Sequence, residues 1–191
     1  APYKVIIIPI GNDENVDKAT SKLSKELKEM NITYKVDNSN KTPGFKFSEA
    51  EVKGYPIRIE VGKRDLSNNT VTIVRRDTLE KETVTLDEAI IKVNELLVNI
   101  QNDMYKRALD RRDSMVYNAD TYEEMTNISK TKPGFIYTNW CGNESCENKI
   151  KEDLGLKSRC IPFENAEPTG SKKCICCGED ATTKIYWAKQ Y

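Results

Sequence analysis

The sequence predicts a mixed α/β domain followed by a small α+β domain that carries a candidate zinc site. Three observations support this prediction. Strand and helix patterns alternate through the first half of the chain, a long helical pattern without proline or glycine extends from Leu86 toward Lys132, and every cysteine lies after Trp140. We therefore place the first domain at residues 1–103 and the second at residues 104–191, with a connecting helix over about residues 86–115.

Length and composition limit the classes of protein to which the chain can belong. Its 191 residues, of which 38% are hydrophobic and 31% charged, suffice for one sizeable core or two small ones. Thirty basic and thirty acidic residues cancel, so nucleic-acid binding would have to depend on local clusters of charge. The sequence shows neither an apolar run of membrane-spanning length nor a secretory signal. Because the chain starts at Ala1 and enters a strand almost at once, we expect it to be part of a longer protein.

The first domain begins with a strand and a helix. Residues 3–10 are almost continuously apolar, which is typical of a buried strand. Over residues 14–30 the apolar side chains recur at helical spacing, at Val16, Leu23, Leu27 and Met30. A short strand at residues 32–36 and a turn-rich loop at residues 37–44 are expected next.

A short helix is predicted to begin at Ser48, because Ser48 and Glu51 have capping-box spacing. Phe45 and Phe47 flank Lys46 just before it, and two rings beside an ammonium group could stack on an exposed base. We expect at least one ring to pack the helix onto its sheet, which is the commoner role of such a pair.

The centre of the first domain is a predicted hairpin at residues 53–77. Its first strand reads as half-buried, with Ile57, Ile59 and Val61 on one face and Arg58 and Glu60 on the other. Both strands lead into basic residues beside a carboxylate, namely Lys63, Arg64 and Asp65 after the first and Arg76 and Asp77 after the second. Such a mixed cluster suits a base edge that offers donors and acceptors, such as that of guanine. Charged residues on an exposed sheet face more often only keep that face in contact with water. Both interpretations, base binding and simple solvent exposure, stay open at this point.

A strand at residues 82–86 and the long helix complete the first domain. Thr85 and Glu88 have capping-box spacing at the start of the helix. The apolar side chains of the helix recur every three or four residues, at Ile90, Val93, Leu97, Ile100 and Met104. Its basic residues, Lys106, Arg107, Arg111 and Arg112, form either a solvated face or a contact with an RNA backbone. Thr121 and Glu124 then indicate another short helix.

The cysteines of the second domain carry the strongest chemical signal. Cys141 and Cys146 form one close pair, and Cys174 and Cys177 form another, a spacing that can surround one tetrahedral Zn²⁺ with sulfur. The chain contains no histidine, so the site would hold four thiolates, leave no open position for water and be structural. Cys176 is an alternative fourth ligand, although the glycine that follows Cys177 favours Cys177. Free thiols without zinc are the remaining alternative.

Two further segments of the second domain have interpretable patterns. Cys160 lies in a strand-like segment, residues 159–163, and is expected to be a small buried apolar residue. Residues 184–191 have the pattern of a strand that runs to the terminal Tyr191. We expect this end of the chain to be held in place by packing and not to fray.

Both predicted domains resemble parts of one known family. Residues 43–48, 53–65 and 75–78 resemble the anticodon-binding domain of prolyl-tRNA synthetases of the archaeal and eukaryotic-like subtype. The Cys141 and Cys146 pair, residues 159–163 and the last four residues resemble the zinc-binding C-terminal domain of that subtype. The resemblance implies the mixed-sheet anticodon-binding fold of class IIa synthetases, followed by a small zinc-binding α+β domain.

The resemblance also implies partners and cofactors. It implies a cytoplasmic, homodimeric ligase that charges tRNA(Pro) with proline using ATP and Mg²⁺, and that has no DNA or membrane partner. The catalytic domain, which would hold ATP and Mg²⁺ and form the dimer, would lie outside this chain. A structural Zn²⁺ is implied at Cys141, Cys146, Cys174 and Cys177. Family members end in a tyrosine whose carboxylate approaches the catalytic domain, and Tyr191 matches it.

Seven residues match positions of the family that face the anticodon: Lys46, Arg58, Glu60, Lys63, Arg64, Asp65 and Arg76. Two positions depart from the family pattern, because Phe45 stands where tryptophan is common and Lys63 where proline usually precedes the Arg-Asp pair. Two alternatives remain. One is a free-standing module that binds RNA or protein and in which zinc only stabilises the fold. The other is the anticodon domain of a synthetase for threonine, glycine or histidine, against which the appended cysteine segment argues.

Overall fold

The computed structural model describes residues 1–190, and Tyr191 with its predicted anchoring lies outside them. The chain divides into two compact units, Ala1–Lys106 and Arg107–Tyr191. Within the described residues, the helices lack an apolar stretch long enough to cross a bilayer.

The first unit contains a mixed sheet with helices on both faces. Its strands are β1 (Val5–Ile10), β2 (Tyr34–Val36), β3 (Ile57–Gly62), β4 (Thr70–Arg75) and β5 (Lys81–Thr85). Its helices are α1 (Glu14–Glu29), α2 (Pro43–Lys53), α3 (Lys63–Leu66) and α4 (Ala89–Ser114), the last of which continues into the second unit. The strand order is β2-β1-β3-β4-β5, with β1 parallel to β2 and β3 and with antiparallel pairing from β3 to β5. The predicted mixed-sheet α/β class is therefore confirmed.

One face of this sheet carries the main core. The alternation of β3 sends Ile57, Ile59 and Val61 into it, where they pack with residues of α1 and α4. Val16, Leu23 and Leu27 of α1 are buried as the helical spacing predicts. Met30 is half exposed, because α1 ends at Glu29 and Met30 no longer continues the buried face of the helix.

Helix α2 covers part of the other face, and this corrects the half-buried interpretation of β3. Ile6 and Ile8 pack there with Ala50 and Tyr55, and Phe47 lies against the same cluster. Arg58 and Glu60 share that face and are buried, so β3 is covered on both sides. The expectation that one of the two rings packs the helix onto the sheet holds for Phe47, whereas Phe45 is exposed.

Helix α2 begins earlier than the capping-box spacing predicts. Thr42 is the N-cap, Pro43 occupies the first turn, and Ser48 lies in the helix interior. The fixed φ angle of proline is already helical, and its missing N–H would have no intrahelical partner at that position. Phe45, Lys46 and Phe47, which the prediction placed just before the helix, are therefore helical residues.

The start of α4 also differs in detail from the prediction. The helix begins at Ala89, and the hydroxyl of Thr85 donates to the carboxylate of Glu88 at 2.6 Å. This side-chain bond replaces the predicted capping box. Val93 and Ile100 are buried as expected, whereas Met104 is largely exposed.

The second unit is an α+β arrangement. Its elements are β6 (Val116–Asn118), α5 (Tyr122–Thr131), β7 (Phe135–Trp140), α6 (Glu144–Leu154), β8 (Leu156–Ser158) and β9 (Thr183–Lys189). The sheet order is β6-β7-β9-β8, with β6 parallel to β7 and the other pairs antiparallel. The capping box of Thr121 and Glu124 forms as predicted. Gly134 has φ +128, and a Cβ there would lie 2.2 Å from the carbonyl oxygen of Met115, so this position requires glycine.

The segment predicted as a strand at residues 159–163 is irregular. It runs beside β9, since the N–H of Arg159 donates to the Tyr186 carbonyl and the N–H of Tyr186 donates to the Cys160 carbonyl. Cys160 is exposed, so its expected burial is wrong. The segment continues along β9 beyond β8, and Cys160 is not part of the hydrophobic core of this unit.

Candidate functional site

The first candidate site is a polar face of the first unit. Strand register places Arg58 and Glu60 of β3 on the α2 side of the sheet, beside Thr72 of β4 and Thr83 of β5. The β5 end of this face is exposed, whereas Arg58 and Glu60 are buried near α2. Charged groups are therefore held at the border between a packed and an open part of one sheet face.

Arg58 and Glu60 form a buried ion pair. Nε of Arg58 lies 2.9 Å from Oε1 of Glu60, and the two side chains are 7% and 10% exposed. Nη1 of Arg58 also lies 2.9 Å from a carboxylate oxygen of Glu51, and its guanidinium lies 4.5 Å from the centre of the Phe47 ring. Two carboxylates and one ring therefore fix the orientation of the guanidinium.

Lys81 is a member of this site that the sequence analysis missed. Its Nζ lies 3.6 Å from Oε1 of Glu60 and 5.8 Å from the centre of the Phe47 ring. Lys81 begins β5 and pairs with Val74 of β4. Strand β4 in turn lies next to β3, the strand that carries Glu60. The signal that could have found it is cross-strand register, which sequence spacing alone does not supply.

Lys46 is buried at a second point of the same unit. Its Nζ donates to the carbonyl oxygen of Asp37 at 2.9 Å. The side chain lines a polar cleft of about 410 Å³ between the turn after β1 and the loop after β2. The carboxyl ends of neighbouring parallel strands commonly form ligand-binding crevices of this kind.

The three residues after β3 lie together on the short helix α3. Lys63 forms an ion pair with Asp13 at 3.1 Å, which lowers the pKa of the Asp13 carboxyl below its usual value. A carboxylate oxygen of Asp65 accepts a hydrogen bond from the hydroxyl of Thr72 at 3.4 Å, and Arg64 is exposed. Because Thr72 pairs with Glu60 across the sheet, Asp65 belongs to the polar face.

Arg76 lies at the opposite end of the sheet from α3. Since β3 and β4 are antiparallel, their carboxyl ends point in opposite directions, and the two basic clusters do not gather at one edge. Nε of Arg76 donates to the carbonyl oxygen of Glu51 at 2.8 Å. Glu51 therefore contacts both Arg58 and Arg76 and connects the distant arginine to the polar face.

The second candidate site is a cysteine cluster in the second unit. The sulfur atoms of Cys141, Cys146, Cys174 and Cys177 all lie within 4.8 Å of one another. Two of the separations are 3.7 Å, from Cys141 to Cys146, and 3.9 Å, from Cys177 to Cys141. Tetrahedral zinc with Zn–S bonds of about 2.3 Å requires S···S separations of about 3.8 Å. The cluster therefore fits one metal ion held by four thiolates.

Local backbone structure brings the cysteines together. Cys141 follows β7, Cys146 lies in the first turns of α6, and the other two cysteines frame a tight turn. In that turn the N–H of Gly178 donates to the carbonyl oxygen of Cys174 at 3.0 Å, and Gly178 adopts φ +74. A residue with a side chain rarely adopts this φ, which explains the glycine after the last cysteine.

The surroundings of the thiols prepare one of them for deprotonation. Burial alone would raise the pKa of Cys174, but hydrogen bonds from the backbone N–H groups of Cys177, Cys176 and Cys141 lower it to about 7. Burial raises the pKa of Cys141 and Cys146. A bound divalent cation would favour the thiolate form of all four ligands, as metal binding to cysteine requires. Cys176 lies outside the four and packs against the hydrophobic core of this unit.

Family models match both units. The model described as an anticodon binding domain matches residues 4–96. The model described as prolyl-tRNA synthetase, C-terminal, matches residues 122–191.

Curated relatives and a solved structure match the whole chain. It is 47% identical to the proline--tRNA ligase of Clostridium novyi and 42% identical to proline--tRNA ligase 2 of Bacillus thuringiensis, in each case over 100% of this chain and 40% of the relative. The crystal structure of prolyl-tRNA synthetase from Cryptosporidium parvum, complexed with halofuginone and AMPPNP, superposes with a TM-score of 0.91 at 32% identity, over 100% of this chain and 41% of that one. The chain thus spans about two fifths of the length of these relatives. By sequence and by fold, the chain belongs to the prolyl-tRNA synthetase family and carries its anticodon-binding domain and its C-terminal domain.

Proposed function

We propose that this chain recognises the anticodon of tRNA(Pro) as part of a proline–tRNA ligase. The observation that carries the proposal is the fixed Arg58–Glu60 ion pair at the border of an open sheet face, with Lys81 and Phe47 in contact. This arrangement offers hydrogen-bond donors, acceptors and an aromatic ring within one small area. Unpaired anticodon bases present both an edge for hydrogen bonds and a face for stacking.

Each charged residue has a role set by its chemistry. Glu60 and Asp65 accept hydrogen bonds from the N1–H and N2–H₂ groups of guanine. Arg58, Lys63, Arg64 or Arg76 donates to guanine O6 or to phosphate oxygens. Lys46 contributes a positive charge at the cleft beside the loop after β2. We add Lys81 to this set, since it contacts the same Glu60 oxygen as Arg58.

The remaining properties follow from membership of a ligase. The full protein attaches proline to tRNA(Pro) in the cytoplasm and uses ATP and Mg²⁺, which bind to the part of the enzyme outside this chain. It forms a homodimer through that part. In this scheme the described residues supply tRNA recognition and no catalytic group.

The cysteine cluster holds a structural Zn²⁺. Cys141, Cys146, Cys174 and Cys177 supply four sulfur ligands and leave no position for a substrate or a reactive water. Zinc bound in this way contributes free energy of folding to the second unit.

Binding measurements with tRNA transcripts test the anticodon proposal. Transcripts that differ only in the anticodon guanines are titrated against the wild-type chain and against Glu60→Gln. The wild-type chain is expected to bind the natural transcript about tenfold to a hundredfold more tightly than transcripts with replaced guanines, since one good base contact contributes roughly 1–3 kcal/mol. Glu60→Gln should lose most of that preference, because an amide offers a single acceptor and adds two donors.

The matched control is Glu14→Gln, which removes an exposed carboxylate of α1 on the opposite side of the sheet from α2. It should leave the preference unchanged. Equal affinity of the wild-type chain for all the transcripts would exclude anticodon recognition. An unaltered preference in Glu60→Gln would exclude the assigned role of Glu60.

A further inference from the structure

A polar cleft of about 410 Å³ opens at the carboxyl ends of β1 and β2. One of its walls is the turn after β1 with the first turn of α1, and the other is the loop after β2 with the first turns of α2. Helices α1 and α2 pack on opposite faces of the sheet, so the two loops diverge and leave a crevice between them. The polar side chains of its lining are those of Asn12, Asp17, Asn38, Ser39, Asn40, Lys41 and Lys46.

Lys46 is the buried cation of this cleft. The residue is 6% exposed, and only one of its three N–H donors has a protein partner, the carbonyl oxygen of Asp37 at 2.9 Å. The carboxylate of Asp37 accepts instead from the N–H of Ser39 and interacts with Lys46 only at longer range. Within residues 1–190 Lys46 forms no salt bridge, whereas Lys41 pairs with Glu49 at 3.1 Å. Burying an ammonium group without a paired carboxylate costs free energy, so Lys46 points to a ligand that brings negative charge.

The start of α2 adds to this positive charge. Its N-cap Thr42 makes no side-chain hydrogen bond to the helix, Pro43 has no N–H, and the first turn holds no acidic residue. The N–H groups of Gly44 and Phe45 therefore lie at the positive end of the helix dipole without a side-chain acceptor. Lys46 follows them directly and places a cation where helix stability alone favours a carboxylate. The helix end and the buried ammonium group together suit an anion.

The exposed polar groups of the cleft have no partners in the protein. Within the described part of the chain, the side chains of Asn12, Asp17, Asn38 and Asn40 form neither a hydrogen bond nor an ion pair. The amides supply both donors and acceptors, and the carboxylate supplies acceptors. The 2′-hydroxyl group of ribose is itself a donor and an acceptor. An anion site on one wall and free amide and carboxylate groups around it match a ribose-phosphate unit of RNA.

The cleft lies at the same end of the sheet as the proposed base contacts. Pro9 and Ile10 line it, and they pair with Val61 and Gly62, the two residues that follow Glu60 in β3. Neighbouring strands are about 4.8 Å apart, so the cleft is one strand away from the end of β3. The backbone of an RNA whose base meets Glu60 therefore passes close to the cleft.

We propose that this cleft, which we call the backbone cleft, holds one ribose-phosphate unit beside the recognised anticodon bases and does not read sequence. The phosphate lies against Lys46 and the start of α2, and Asp17 on the opposite wall accepts a hydrogen bond from the 2′-hydroxyl. This assignment rests on the proposed function and deepens it. Glu60 and Asp65 select the base, whereas the backbone cleft fixes the position of the RNA.

The test titrates the full chain and its variants with the natural tRNA transcript and with a transcript whose anticodon guanines are replaced, over a series of salt concentrations. Lys46→Met removes the charge and keeps an unbranched side chain. It should weaken binding of both transcripts by the same factor, about tenfold, since a charged hydrogen bond is lost. The plot of log affinity against log salt should become less steep by about 0.7, the contribution of one phosphate contact on a single strand. The ratio of the two affinities should stay at its wild-type value.

A second variant keeps the test decisive if circular dichroism shows that Lys46→Met does not fold. Asn40→Asp places a carboxylate in an exposed loop without changing the shape of the side chain. It should weaken binding of both transcripts, because the new charge repels the phosphate. The matched controls are Lys25→Met on the exposed side of α1 and Asn94→Asp on α4, which make the same changes of charge outside the cleft. Both controls should bind as the wild type does.

The sugar contact has a separate measurement. A natural-sequence anticodon stem-loop with deoxyribose in its loop should bind the wild-type chain more weakly than the all-ribose form. Asp17→Ala should bind the two forms equally. A wild-type chain that binds both forms with one affinity would overturn the assignment of a ribose to this cleft.

Two results would overturn the phosphate assignment. One is wild-type affinity and salt dependence in the folded Lys46→Met variant, or in Asn40→Asp where the former does not fold, while the wild-type chain still prefers the natural transcript. The other is a loss of guanine preference in Lys46→Met, which would make Lys46 a base contact. If the variants weaken both transcripts equally but the wild-type chain shows no guanine preference, the backbone cleft stands as an RNA-binding site and the anticodon proposal falls.

Discussion

At the scale of single residues, Arg58 and Glu60 show how a buried ion pair can hold polar groups at the edge of a packed sheet face. Their side chains are buried between α2 and the sheet, yet Lys81 on the exposed strand β5 reaches the same carboxylate. A buried ion pair contributes little net stability while both partners are present, but the loss of one partner leaves an uncompensated charge. The pair therefore keeps its donor and acceptor groups in one fixed arrangement, which is what the proposed contact with a base requires.

Arg58→Leu should lower the free energy of unfolding by about 2 kcal/mol, because the buried Glu60 carboxylate loses its nearest donor and keeps only Lys81, at 3.6 Å. The double variant Arg58→Leu/Glu60→Leu should recover part of this loss. Urea denaturation measures both effects. Lys63→Gln serves as the control, since Lys63 pairs with Asp13 but is exposed, and it should denature as the wild type does. A wild-type midpoint for Arg58→Leu would show that the pair carries no such constraint.

The fourth sulfur ligand is a second question at this scale. Cys177 lies in the cluster of four sulfur atoms, and Cys176 packs against the hydrophobic core. Cys177→Ser is therefore expected to lose bound zinc on dialysis against a weak chelator, and Cys176→Ser to keep it. Cys160→Ser, which removes an exposed thiol outside the cluster, is the control. Metal analysis of the dialysed proteins decides the assignment, and retention of zinc by Cys177→Ser alone would reverse it.

At the scale of elements, serine and threonine capping signals with the same spacing have different outcomes. Thr121 accepts a hydrogen bond from the N–H of Glu124, and the Glu124 carboxylate accepts from the N–H of Thr121, so the box closes at the start of α5. Ser48 has the same spacing to Glu51 but lies inside α2, whose first turn is set by Pro43. A capping pattern marks a helix start only where no stronger signal precedes it.

Thr121→Ala should lower the free energy of unfolding of the second unit by about 1 kcal/mol, the usual effect of losing an N-cap. Ser48→Ala should be neutral or slightly stabilising, since alanine is the better helix former at an exposed interior position. Urea denaturation followed by circular dichroism compares the two substitutions. A larger loss in Ser48→Ala than in Thr121→Ala would contradict the assigned start of α2.

At the scale of the whole molecule, the two units have separate means of stabilisation. The first unit has a continuous apolar core that includes residues of β1, β3, β4, α1 and α4. The second unit has a smaller core, to which the cysteine cluster is added. Small domains often need such a staple, because their buried apolar area is limited.

Removal of zinc should therefore affect the units unequally. Treatment with a strong chelator is expected to abolish hydrogen-exchange protection in β7, α6 and β9 and to leave protection in β1 and β3 near its original level. Hydrogen exchange followed by mass spectrometry, with and without added zinc, measures this difference. Equal loss of protection in both units, or none in the second, would contradict a zinc contribution confined to Arg107–Tyr191.

Much of the fold was predictable because its signals are local. Alternation identified β3, the hairpin pattern identified β4, helical spacing identified α1, and the Thr121 and Glu124 pair identified the start of α5. The four cysteines were predictable as a group because short loops constrain how far apart paired thiols can lie. The resemblance to prolyl-tRNA synthetases supplied the seven positions that are expected to face the anticodon, which spacing alone did not single out.

Only the tertiary structure decided which of these residues meet. It buried Arg58 and Glu60 under α2, placed Arg76 at the opposite end of the sheet from Lys63, and brought Lys81 to Glu60. It also exposed Cys160 and joined Asn139 of the second sheet to the loop that carries Thr169. The physical reason is that local patterns fix the direction of a side chain relative to its own strand or helix, whereas strand order, register and helix packing fix its neighbours.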